Sequence, residues 1–384
     1  MPTRKILLVT NDLGPRAGGI ETFILGLLGQ LDGSQIVIYT AFQKGSEDFD
    51  KALMAKTGAV VIRDKSSVLI ASLWVNRRVR AVMKQYQCEV IWFGAAMPLA
   101  WMSGLLKRAG AKRIVAITHG HEVWWAKLPP FKWIFKYSTK SIDVLTYLGE
   151  FTRSAMAPAV SPQTLMVQIA PGIPIDHFVP AAKSQSLIRE LDLESKQVIV
   201  SVGRLVHRKG QDKLLEALPN ILLQHPDVVL LFVGVGPRRK KLDQLVKKFD
   251  LAPYVRFVGR ATYESLPRYF QLGDLFVMPS RSRLAGLEVE GLGIVYLEAS
   301  ACGVAVVAGA SGGAPDAVVQ GVTGVVVDGT DVAEITRVIN DLLDHPAQLK
   351  EMGIAGRAWT EERWSWQIWG ERFKGVLLGD QVIG

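Results

Sequence analysis

Short apolar runs and longer amphipathic segments alternate along the first half of the chain. Each run is rich in β-branched residues and predicts a buried strand, and the alternation is typical of parallel α/β units. The first strand, Lys5–Val9, leads through a loop into a helix predicted from about Glu21 to Gln30. The further strands predicted in this half are Gln35–Tyr39, Ala59–Arg63, Val90–Phe93, Arg113–Ile117, Asp143–Thr146 and Met166–Ile169.

A second α/β series begins after a proline-rich connection. Pro171, Pro174 and Pro180 are followed by the polar segment 183–186, and together they predict a link between two domains. The strands predicted beyond it are Gln197–Val202, Val228–Val233, Val255–Val258, Leu275–Val277 and Ala305–Val307, with helices over 211–223, 238–249, 263–272 and 294–301.

We therefore predict an α/β fold of two Rossmann-like parallel-sheet domains facing a cleft, formed by residues 1–175 and 176–369. The segment 353–378 contains four tryptophans and predicts a terminal helix whose aromatic residues serve packing. Its end, residues 370–384, is predicted to return to the first domain and complete it.

The composition of the 384 residues, 49% hydrophobic and 21% charged, is that of a globular protein large enough for two domains. The longest uncharged run, Val90–Leu106, is broken by two glycines and a proline and is shorter than the roughly 20 residues of a membrane span. We expect no transmembrane segment and no signal peptide. Cys88 and Cys302 match no metal or redox spacing and predict reduced thiols in a cytoplasmic protein.

The net charge of +9 predicts an anionic partner, which composition leaves open as nucleic acid, an acidic membrane surface or a phosphorylated ligand. No basic strand carrying aromatic residues is apparent, so we do not expect nucleic acid. Segments 74–84 and 124–136 mix arginine or lysine with tryptophan, as helices at membrane surfaces do. Either segment alone is equally explained by a helix packing on the sheet. Their occurrence in the same half of a basic chain favours peripheral membrane contact.

Two carboxylates and a predicted helix start lie close together in the segment Gly286–Gly303. Glu290 and Glu298 are eight residues apart, and the glycine-rich turn between them leads into a helix predicted to open near Ile294. The start of a helix leaves backbone N–H groups unpaired and carries a partial positive charge, so it suits a phosphate. Carboxylates suit sugar hydroxyls. The segment therefore predicts a site for a sugar nucleotide.

Two other loops could contribute to such a site. Arg204 and Lys209 follow a predicted buried strand, and two cations there suit a diphosphate or, alternatively, form a solvated face. The pair Gly18–Gly19 precedes the first helix and allows either a close approach of the backbone to a ligand or a tight turn.

Three other motifs give weaker evidence of a functional site. The G-x-G at Gly234–Gly236 lacks the third glycine of a dinucleotide fingerprint, so we predict no nicotinamide cofactor. His119 and His121 lack further ligands at zinc spacing, and we interpret His119 as a strand-end residue for a substrate hydroxyl or phosphate, or as a turn residue. The D-x-D at Asp48–Asp50 lies in a charged stretch and predicts a solvated loop. We expect no metal.

With Glu290-x7-Glu298, Arg204, Lys209 and Gly18–Gly19 in this arrangement, the chain resembles the retaining glycosyltransferases of family 4, which have the GT-B fold. The resemblance runs essentially from end to end. Within the family it is strongest to the actinobacterial mannosyltransferases that act on phosphatidylinositol mannosides. The blocks that carry it are VTND, GPRAGGIE, WFGAAMPLA, THGHEVWW, DVLTY, RLVHRKGQD, EGLGIVYLEASACGV and AGASGGAPD.

The resemblance implies a GDP-mannose donor and a phosphatidylinositol mannoside acceptor, which would receive the second mannose of its inositol ring. It also implies a metal-independent enzyme without a cofactor, attached peripherally to the inner, acidic face of the cell membrane. Two rival functions stay open: transfer from another nucleotide sugar to a soluble acceptor, and epimerisation of a sugar nucleotide by an enzyme of the same fold.

The resemblance also assigns roles to residues. Arg204 and Lys209 would hold the diphosphate, Glu290 the hydroxyls of the donor sugar and Glu298 the ribose, with His119 beside the transferring mannose. The residues implied to be catalytic are His119, Arg204, Lys209 and Glu290. Those implied to bind substrate are Asn11 and Asp12 at the acceptor, Arg256, Phe257 and Val258 at the base, and Gly18, Gly19, Arg204, Lys209, Glu290, Gly293, Ile294, Val295 and Glu298.

Overall fold

A computed structural model of the protein describes residues 4–15, 18–120, 122–129 and 131–380. His121 of the H-x-H motif and the last four residues of the predicted returning segment lie outside these ranges. The chain divides into two compact units, one formed by Met1–Gly172 with Trp366–Gly384 and the other by Ile173–Ser365. The boundaries predicted from the sequence, after residues 175 and 369, lie a few residues further along the chain.

The first unit is built around a parallel sheet of seven strands. Its strand order is β3-β2-β1-β4-β5-β6-β7, and every neighbouring pair is parallel. The elements before the second unit are β1 (Ile6–Thr10), α1 (Gly19–Leu28), β2 (Ile36–Thr40), α2 (Glu47–Thr57), β3 (Val60–Arg63), α3 (Leu73–Gln85), β4 (Val90–Phe93), α4 (Ser103–Arg108), β5 (Arg113–Ala116), α5 (Glu122–Lys127), α6 (Phe131–Thr139), β6 (Val144–Tyr147), α7 (Glu150–Met156) and β7 (Leu165–Gln168).

The second unit repeats the plan with six parallel strands in the order β10-β9-β8-β11-β12-β13. Its elements are α8 (Gln185–Glu190), β8 (Gln197–Val202), α9 (Gln211–Leu222), β9 (Val228–Val233), α10 (Arg239–Lys248), β10 (Val255–Gly259), α11 (Leu266–Phe270), β11 (Leu275–Met278), α12 (Ile294–Ala301), β12 (Val306–Gly309), β13 (Gly324–Val327), α13 (Val332–Asp344) and α14 (Pro346–Arg363).

The tryptophan-rich tail forms two helices where one was predicted. The helix α14 belongs to the second unit, and α15 (Trp366–Leu378) belongs to the first. Trp369 and Phe373 of α15 are buried, and the Phe373 ring lies 4.9 Å from that of Trp92 on β4. The aromatic residues of α15 therefore serve packing, as predicted. The last strand of the second sheet, β13, was not predicted.

Each sheet has one point where the strand order reverses. In the first unit it lies between β1 and β4, and in the second between β8 and β11. The central strands are buried on both faces, as the apolar runs predicted. In open parallel sheets, ligands bind outside the carboxyl ends of the strands at this reversal. The prediction of two Rossmann-like parallel-sheet domains is thus confirmed, and each unit has one place to search for a site.

Candidate functional site

In the second unit, the loop after β8 carries the predicted cations. Arg204 is exposed, and its guanidinium has no hydrogen-bond or ion-pair partner in the part of the chain that the structure describes. Lys209, by contrast, is buried in a short 3-10 helix, His207–Lys209. Gly210 ends that helix at a φ of 74°, and a Cβ atom there would lie 1.9 Å from the carbonyl oxygen of Pro279. The sequence thus needs glycine at this position to press the cationic loop against the end of β11.

Lys209 forms a buried ion pair with Glu290. The Lys209 Nζ atom lies 2.9 Å from Glu290 Oε2, and the two side chains are only 10% and 8% exposed. Arg208 Nε lies 3.6 Å from the same oxygen. Burial by itself would raise the pKa of Glu290, but Lys209 and Arg208 outweigh burial and hold it below its usual value. Glu290 is therefore a buried, ionised hydrogen-bond acceptor.

The backbone around Glu290 is fixed by the loop after β12. The Gly313 N–H donates to the Glu290 carbonyl at 2.9 Å, and the Glu290 N–H donates to Ser311 Oγ at 3.3 Å. A Cβ atom on Gly312 would lie 2.1 Å from the same carbonyl oxygen. This loop is part of the AGASGGAPD block, and it holds the carboxylate in place without contacting it.

The helix α12 begins as predicted, beside these charges. Gly293, the residue that immediately precedes α12, has a φ of 77°. It lies so close to the Tyr296 ring that a Cβ atom would be 2.4 Å from that ring. The Tyr296 hydroxyl donates to the Met278 carbonyl at 2.8 Å and anchors the first turn to β11. The first N–H groups of a helix have no carbonyl one turn earlier in the helix to accept their hydrogen bonds. The N–H groups of Ile294 and Val295 are therefore available to an anion.

Glu298, which lies in the first turns of α12, differs from Glu290 in the direction of its pKa shift. Its side chain is buried, and burial raises its pKa to about 7 although Lys209 acts in the opposite direction. No hydrogen bond to its carboxylate is found among the described residues. Lys209 therefore acts on both carboxylates but forms an ion pair only with Glu290, and Glu298 is a buried carboxyl without an ion-pair partner among the described residues.

A further arginine supports the cationic loop and was not predicted. Arg281, which follows β11, is buried; its Nη2 atom lies 2.7 Å from Asp212 Oδ2 and 2.9 Å from His207 Nδ1. Its N–H donates to the Arg208 carbonyl at 2.8 Å. Burial and the charge of Arg281 lower the pKa of His207, so this imidazole is neutral. A cation three residues after a buried strand was the available sequence signal for Arg281.

The structure places the predicted base-binding residues on β10, the edge strand of the second sheet. The Arg256 side chain donates to the carbonyls of Leu191 and Pro253 at 2.9 and 2.8 Å. The expected contact of the base with this strand, mostly through backbone groups, stays a prediction. Phe257 lies beneath the Arg239 guanidinium, 3.9 Å from the ring centroid, and Val258 is half-buried. Alternation along the strand sends the Arg256 side chain towards α8 instead.

The G-x-G after β9 has a packing role. A Cβ atom on Gly234 would lie 2.0 Å from the Gly203 carbonyl oxygen, and one on Gly236 would lie 2.3 Å from that of Leu205. The two glycines thus let the loops after β8 and β9 touch, and the absence of a nicotinamide cofactor stays a prediction.

In the first unit, four predicted residues line one cavity of about 850 Å³. We call it the first cavity; it lies at the carboxyl end of β1. Asn11 and Asp12 come directly from that strand, and Gly18 and Gly19 come from the start of α1. The other described lining residues are Pro15, Ile20, Glu21, Phe42, Gln43, Lys44, Ser67 and Val68.

The Asn11 side chain binds the loop that forms one wall of this cavity. Its Nδ2 donates to the Leu69 carbonyl at 3.1 Å, and its Oδ1 accepts the Leu69 N–H at 2.7 Å. Both ends of the amide are thereby engaged with the backbone of the loop that supplies Ser67 and Val68. Asn11 thus lines the cavity and also holds that loop, and its contact with an acceptor stays a prediction. Asp12 is a further polar residue that lines the cavity.

His119 follows β5, as predicted, and is tightly held. Its ring Nε2 atom lies 2.6 Å from the Gly94 carbonyl, so this nitrogen carries the proton. The backbone N–H of His119 donates to Glu122 Oε2 at 2.9 Å. The ring packs edge-on against Phe23 at a centroid distance of 5.7 Å. His119 is not among the described residues that line the first cavity.

The D-x-D segment is not a loop, so that prediction was wrong. Residues 48–50 lie in the first turn of α2, where acidic residues favour a helix start. Asp50 forms an ion pair of 2.7 Å with Arg63. Within the described ranges no group of three or more histidine, cysteine or acidic side chains is arranged to hold a metal.

The two segments considered for membrane contact form helices that pack one side on the sheet and expose the other. On α3, Val75 and Val79 are buried, whereas Trp74 is 72% exposed. On α6, Trp133 is 79% exposed. Arg78 of α3 is 42% exposed but is paired, because its Nε atom lies 2.7 Å from the buried Asp64 carboxylate. Among the described helices, none is long and apolar enough to span a membrane.

Two Rossmann-like units, one of them carrying a helix-start anion seat flanked by buried carboxylates and cations, define a GT-B glycosyltransferase. The models of two families match the chain: "Glycosyltransferase Family 4" over residues 17–177 and "Glycosyl transferases group 1" over residues 184–359. The chain belongs to glycosyltransferase family 4, and it is an enzyme of that class.

Relatives match along nearly the whole chain. A GDP-mannose-dependent alpha-(1-6)-phosphatidylinositol monomannoside mannosyltransferase of Mycolicibacterium smegmatis is 42% identical over 97% of this chain and 98% of its own. A protein of Corynebacterium glutamicum, named for the monoacylated form of that acceptor, is 39% identical over 98% of this chain and 99% of its own. Among solved structures, Anabaena HepE in complex with UDP aligns with a TM-score of 0.80 at 19% identity, covering 98% of this chain and all of that one. This last similarity concerns the fold alone.

Proposed function

We propose that the protein transfers mannose from GDP-mannose to a phosphatidylinositol mannoside, adding the second mannose of the inositol ring with retention of configuration. Identity of about 40% to enzymes with this donor and acceptor in their names, over almost the full length, supports the choice of both substrates. The observation that carries the proposal is the arrangement of Glu290 and Glu298 around Lys209 at the start of α12.

In this proposal, the second unit binds the donor. Arg204, exposed and without a side-chain partner in the described chain, holds the diphosphate together with Lys209 and the N–H groups of Ile294 and Val295. Glu290 accepts hydrogen bonds from the mannose hydroxyls because it is ionised and fixed by its backbone. Glu298 satisfies its buried carboxylate by accepting hydrogen bonds from the ribose.

The reaction requires no covalent enzyme intermediate. The ion pair with Lys209 holds Glu290 in place as an acceptor, which argues against a role as nucleophile. We propose that the bond between the mannose C1 and the diphosphate oxygen breaks first. The acceptor oxygen then bonds to C1 from the same face and passes its proton to the leaving diphosphate. Catalysis comes mainly from stabilising the charge that develops on the diphosphate.

The acceptor is proposed to use the first cavity. Asp12 offers a carboxylate to sugar or inositol hydroxyls there, and Asn11 holds one wall through Leu69. The exposed Trp74 on α3 and Trp133 on α6 support contact of the same unit with a membrane that supplies the lipid. We propose a peripheral enzyme at the acidic inner face of the cell membrane.

The donor role of Arg204 is tested by Arg204→Ala. Because this change removes one electrostatic stabiliser of the leaving group, we expect kcat to fall by about two orders of magnitude or more. The matched control is Lys241→Ala, an exposed cation on α10, which should leave turnover unchanged. Turnover of Arg204→Ala close to that of the wild type would remove Arg204 from the diphosphate site.

Incubation with donor alone separates transfer from epimerisation. We expect GDP-mannose to be recovered unchanged, whereas an epimerised sugar nucleotide formed without acceptor would establish the rival function.

Metal independence is tested with EDTA, which should leave the rate of transfer unchanged. Loss of activity that manganese restores would overturn that part of the proposal.

Membrane contact through α3 is tested by replacing only the exposed arginines. The double variant R77Q/R80Q should weaken sedimentation with anionic vesicles while GDP binding is unchanged. Arg78 is left in place because it supports Asp64. The control K240Q/K241Q removes the same charge from exposed positions of α10. Equal vesicle binding by both double variants would mean that α3 does not contact the membrane and only packs on the sheet.

A further inference from the structure

A second cavity in the first unit lies between α4 and α6. We call it the α4–α6 cavity; its volume is about 350 Å³. It shares no described lining residue with the first cavity, so it is a separate feature of the surface. The residues that line it are Trp101, Ser103, Gly104, Leu105, Lys107, Arg108, Tyr137, Ser138, Lys140 and Ser141.

The charge of the α4–α6 cavity is positive. Three of its described lining residues, Lys107, Arg108 and Lys140, are cations, and none is acidic. The nearby Asp143 neutralises one of them, with its Oδ2 atom 2.6 Å from Lys107 Nζ. Arg108 is exposed and has no hydrogen-bond or ion-pair partner in the described chain. Two cations therefore remain uncompensated at the opening of a small cavity.

Serine residues form part of the wall of the α4–α6 cavity. Ser103 is buried and its hydroxyl donates to the Ser138 carbonyl at 3.1 Å, which joins α4 to α6. Ser141 is half-buried, and a Cβ atom on Gly104 would lie 3.3 Å from its Oγ. The Ser138 hydroxyl donates to the Ile134 carbonyl at 2.8 Å. The Ser141 hydroxyl and the flexible cations are therefore the groups that match the oxygens of a phosphate.

Aromatic side chains surround the opening. Trp101 is 46% exposed and Tyr137 is 75% exposed, and the Lys140 Nζ atom lies 5.7 Å from the centroid of the Tyr137 ring. Trp133, four residues before Tyr137 on α6, is on the same side of that helix and is 79% exposed. Exposed tryptophan and tyrosine beside basic residues are typical of surfaces at the level of lipid head groups. A soluble anion would need no such aromatic border.

We propose that the α4–α6 cavity binds the phosphodiester head group of an anionic phospholipid that is not the sugar acceptor. The aromatic border then lies among the upper acyl chains, and Arg108 and Lys140 contact the phosphate. This site rests on the proposed membrane contact, but it is independent of the donor and of sugar transfer. It gives the enzyme an attachment point that does not compete with the lipid it modifies.

The test uses dihexanoyl phosphatidylglycerol below its micellar concentration, with binding to the full chain measured by calorimetry. We expect the double variant R108Q/K140Q to bind this lipid up to about 25-fold more weakly than the wild type, since an ion pair at an exposed site contributes up to about fivefold. The matched variant R77Q/R80Q removes the same charge from α3 and should bind as the wild type does. Equal weakening in both variants would overturn the proposal, because it would show attraction to net charge without a site.

Two further arms identify the ligand. Inorganic phosphate and glycerol 3-phosphate should bind at least tenfold more weakly than the lipid; equal affinity would mean a site for a soluble phosphate and would refute the lipid assignment. Tyr137→Ala should weaken binding of the lipid and leave binding of phosphate unchanged. An unaltered lipid affinity would show that the aromatic side chains around the opening do not contact the lipid. Transfer to a short-chain acceptor should stay normal in R108Q/K140Q. Its retention alongside lost lipid binding distinguishes this site from the proposed catalytic function.

Discussion

Replacing Glu298 by glutamine should stabilise the second unit while weakening donor binding. An unfolded chain ionises this carboxyl near pH 4.5, and the folded protein does so near pH 7 because burial disfavours the charge. Between these values the folded state holds the proton more tightly, so the carboxyl costs stability as the pH rises. At roughly 1.4 kcal/mol per pH unit the full cost is about 3 kcal/mol, of which about 2 kcal/mol accumulates between pH 5.5 and 8.

Native-state hydrogen exchange measures this cost where it arises. Peptides from β8 and β12 report on the second unit, and peptides from β4 in the first unit serve as an internal control. The gain in protection of Glu298→Gln over the wild type should grow from pH 5.5 to pH 8 in β8 and β12 and stay near zero in β4. Below pH 4.5 the gain should vanish, because the wild-type carboxyl is then neutral in both states.

The same variant should lose affinity for the donor. If Glu298 accepts hydrogen bonds from the ribose, its loss should weaken GDP binding by roughly ten- to a hundredfold, the range for a hydrogen bond to a charged group. The exposed Glu190→Gln is the control and should alter neither quantity. A gain in protection that does not change with pH would refute the reasoning about burial, and unchanged GDP affinity would refute the ribose role.

The remaining predictions concern the buried ion pair and the wall of the first cavity. Lys209→Met should destabilise the second unit by roughly 3–5 kcal/mol because it leaves Glu290 charged and buried, and K209M/E290Q should recover most of that loss in urea unfolding; a double variant no more stable than K209M would contradict the pairing. Asn11→Ala releases both backbone groups of Leu69 and should raise the KM for the acceptor several-fold with GDP affinity unchanged. An unaltered acceptor KM would mean that the loop is held by other contacts.

The features that depend on local pattern could be predicted from the sequence. The β-branched runs gave strands such as Val228–Val233 with correct bounds, and the Gly293 turn marked the start of α12. Acidic residues after Ser46 were an available signal of the α2 start, because they suit a helix N-terminus, and interpreting 48–50 as a loop overlooked it.

Side-chain pairings between distant segments could not be predicted. Lys209 meets Glu290 only because β8 and β11 are neighbours in the sheet, and Asn11 meets Leu69 across 58 positions of the chain. The direction of the Arg256 side chain follows from the place of β10 at the sheet edge beside α8. Each of these contacts depends on the order of the strands in the sheet. That order cannot be predicted from the local sequence pattern.

A donor and acceptor panel analysed by mass spectrometry tests the central claim most directly. The purified protein would be incubated with GDP-mannose, UDP-glucose or UDP-N-acetylglucosamine, each with phosphatidylinositol monomannoside, phosphatidylinositol or inositol phosphate. We predict a product carrying one added hexose only from GDP-mannose with the monomannoside, and NMR of the new linkage should show the α configuration of the donor. A product formed from a UDP-sugar, on a soluble acceptor, or with a β linkage would contradict the account.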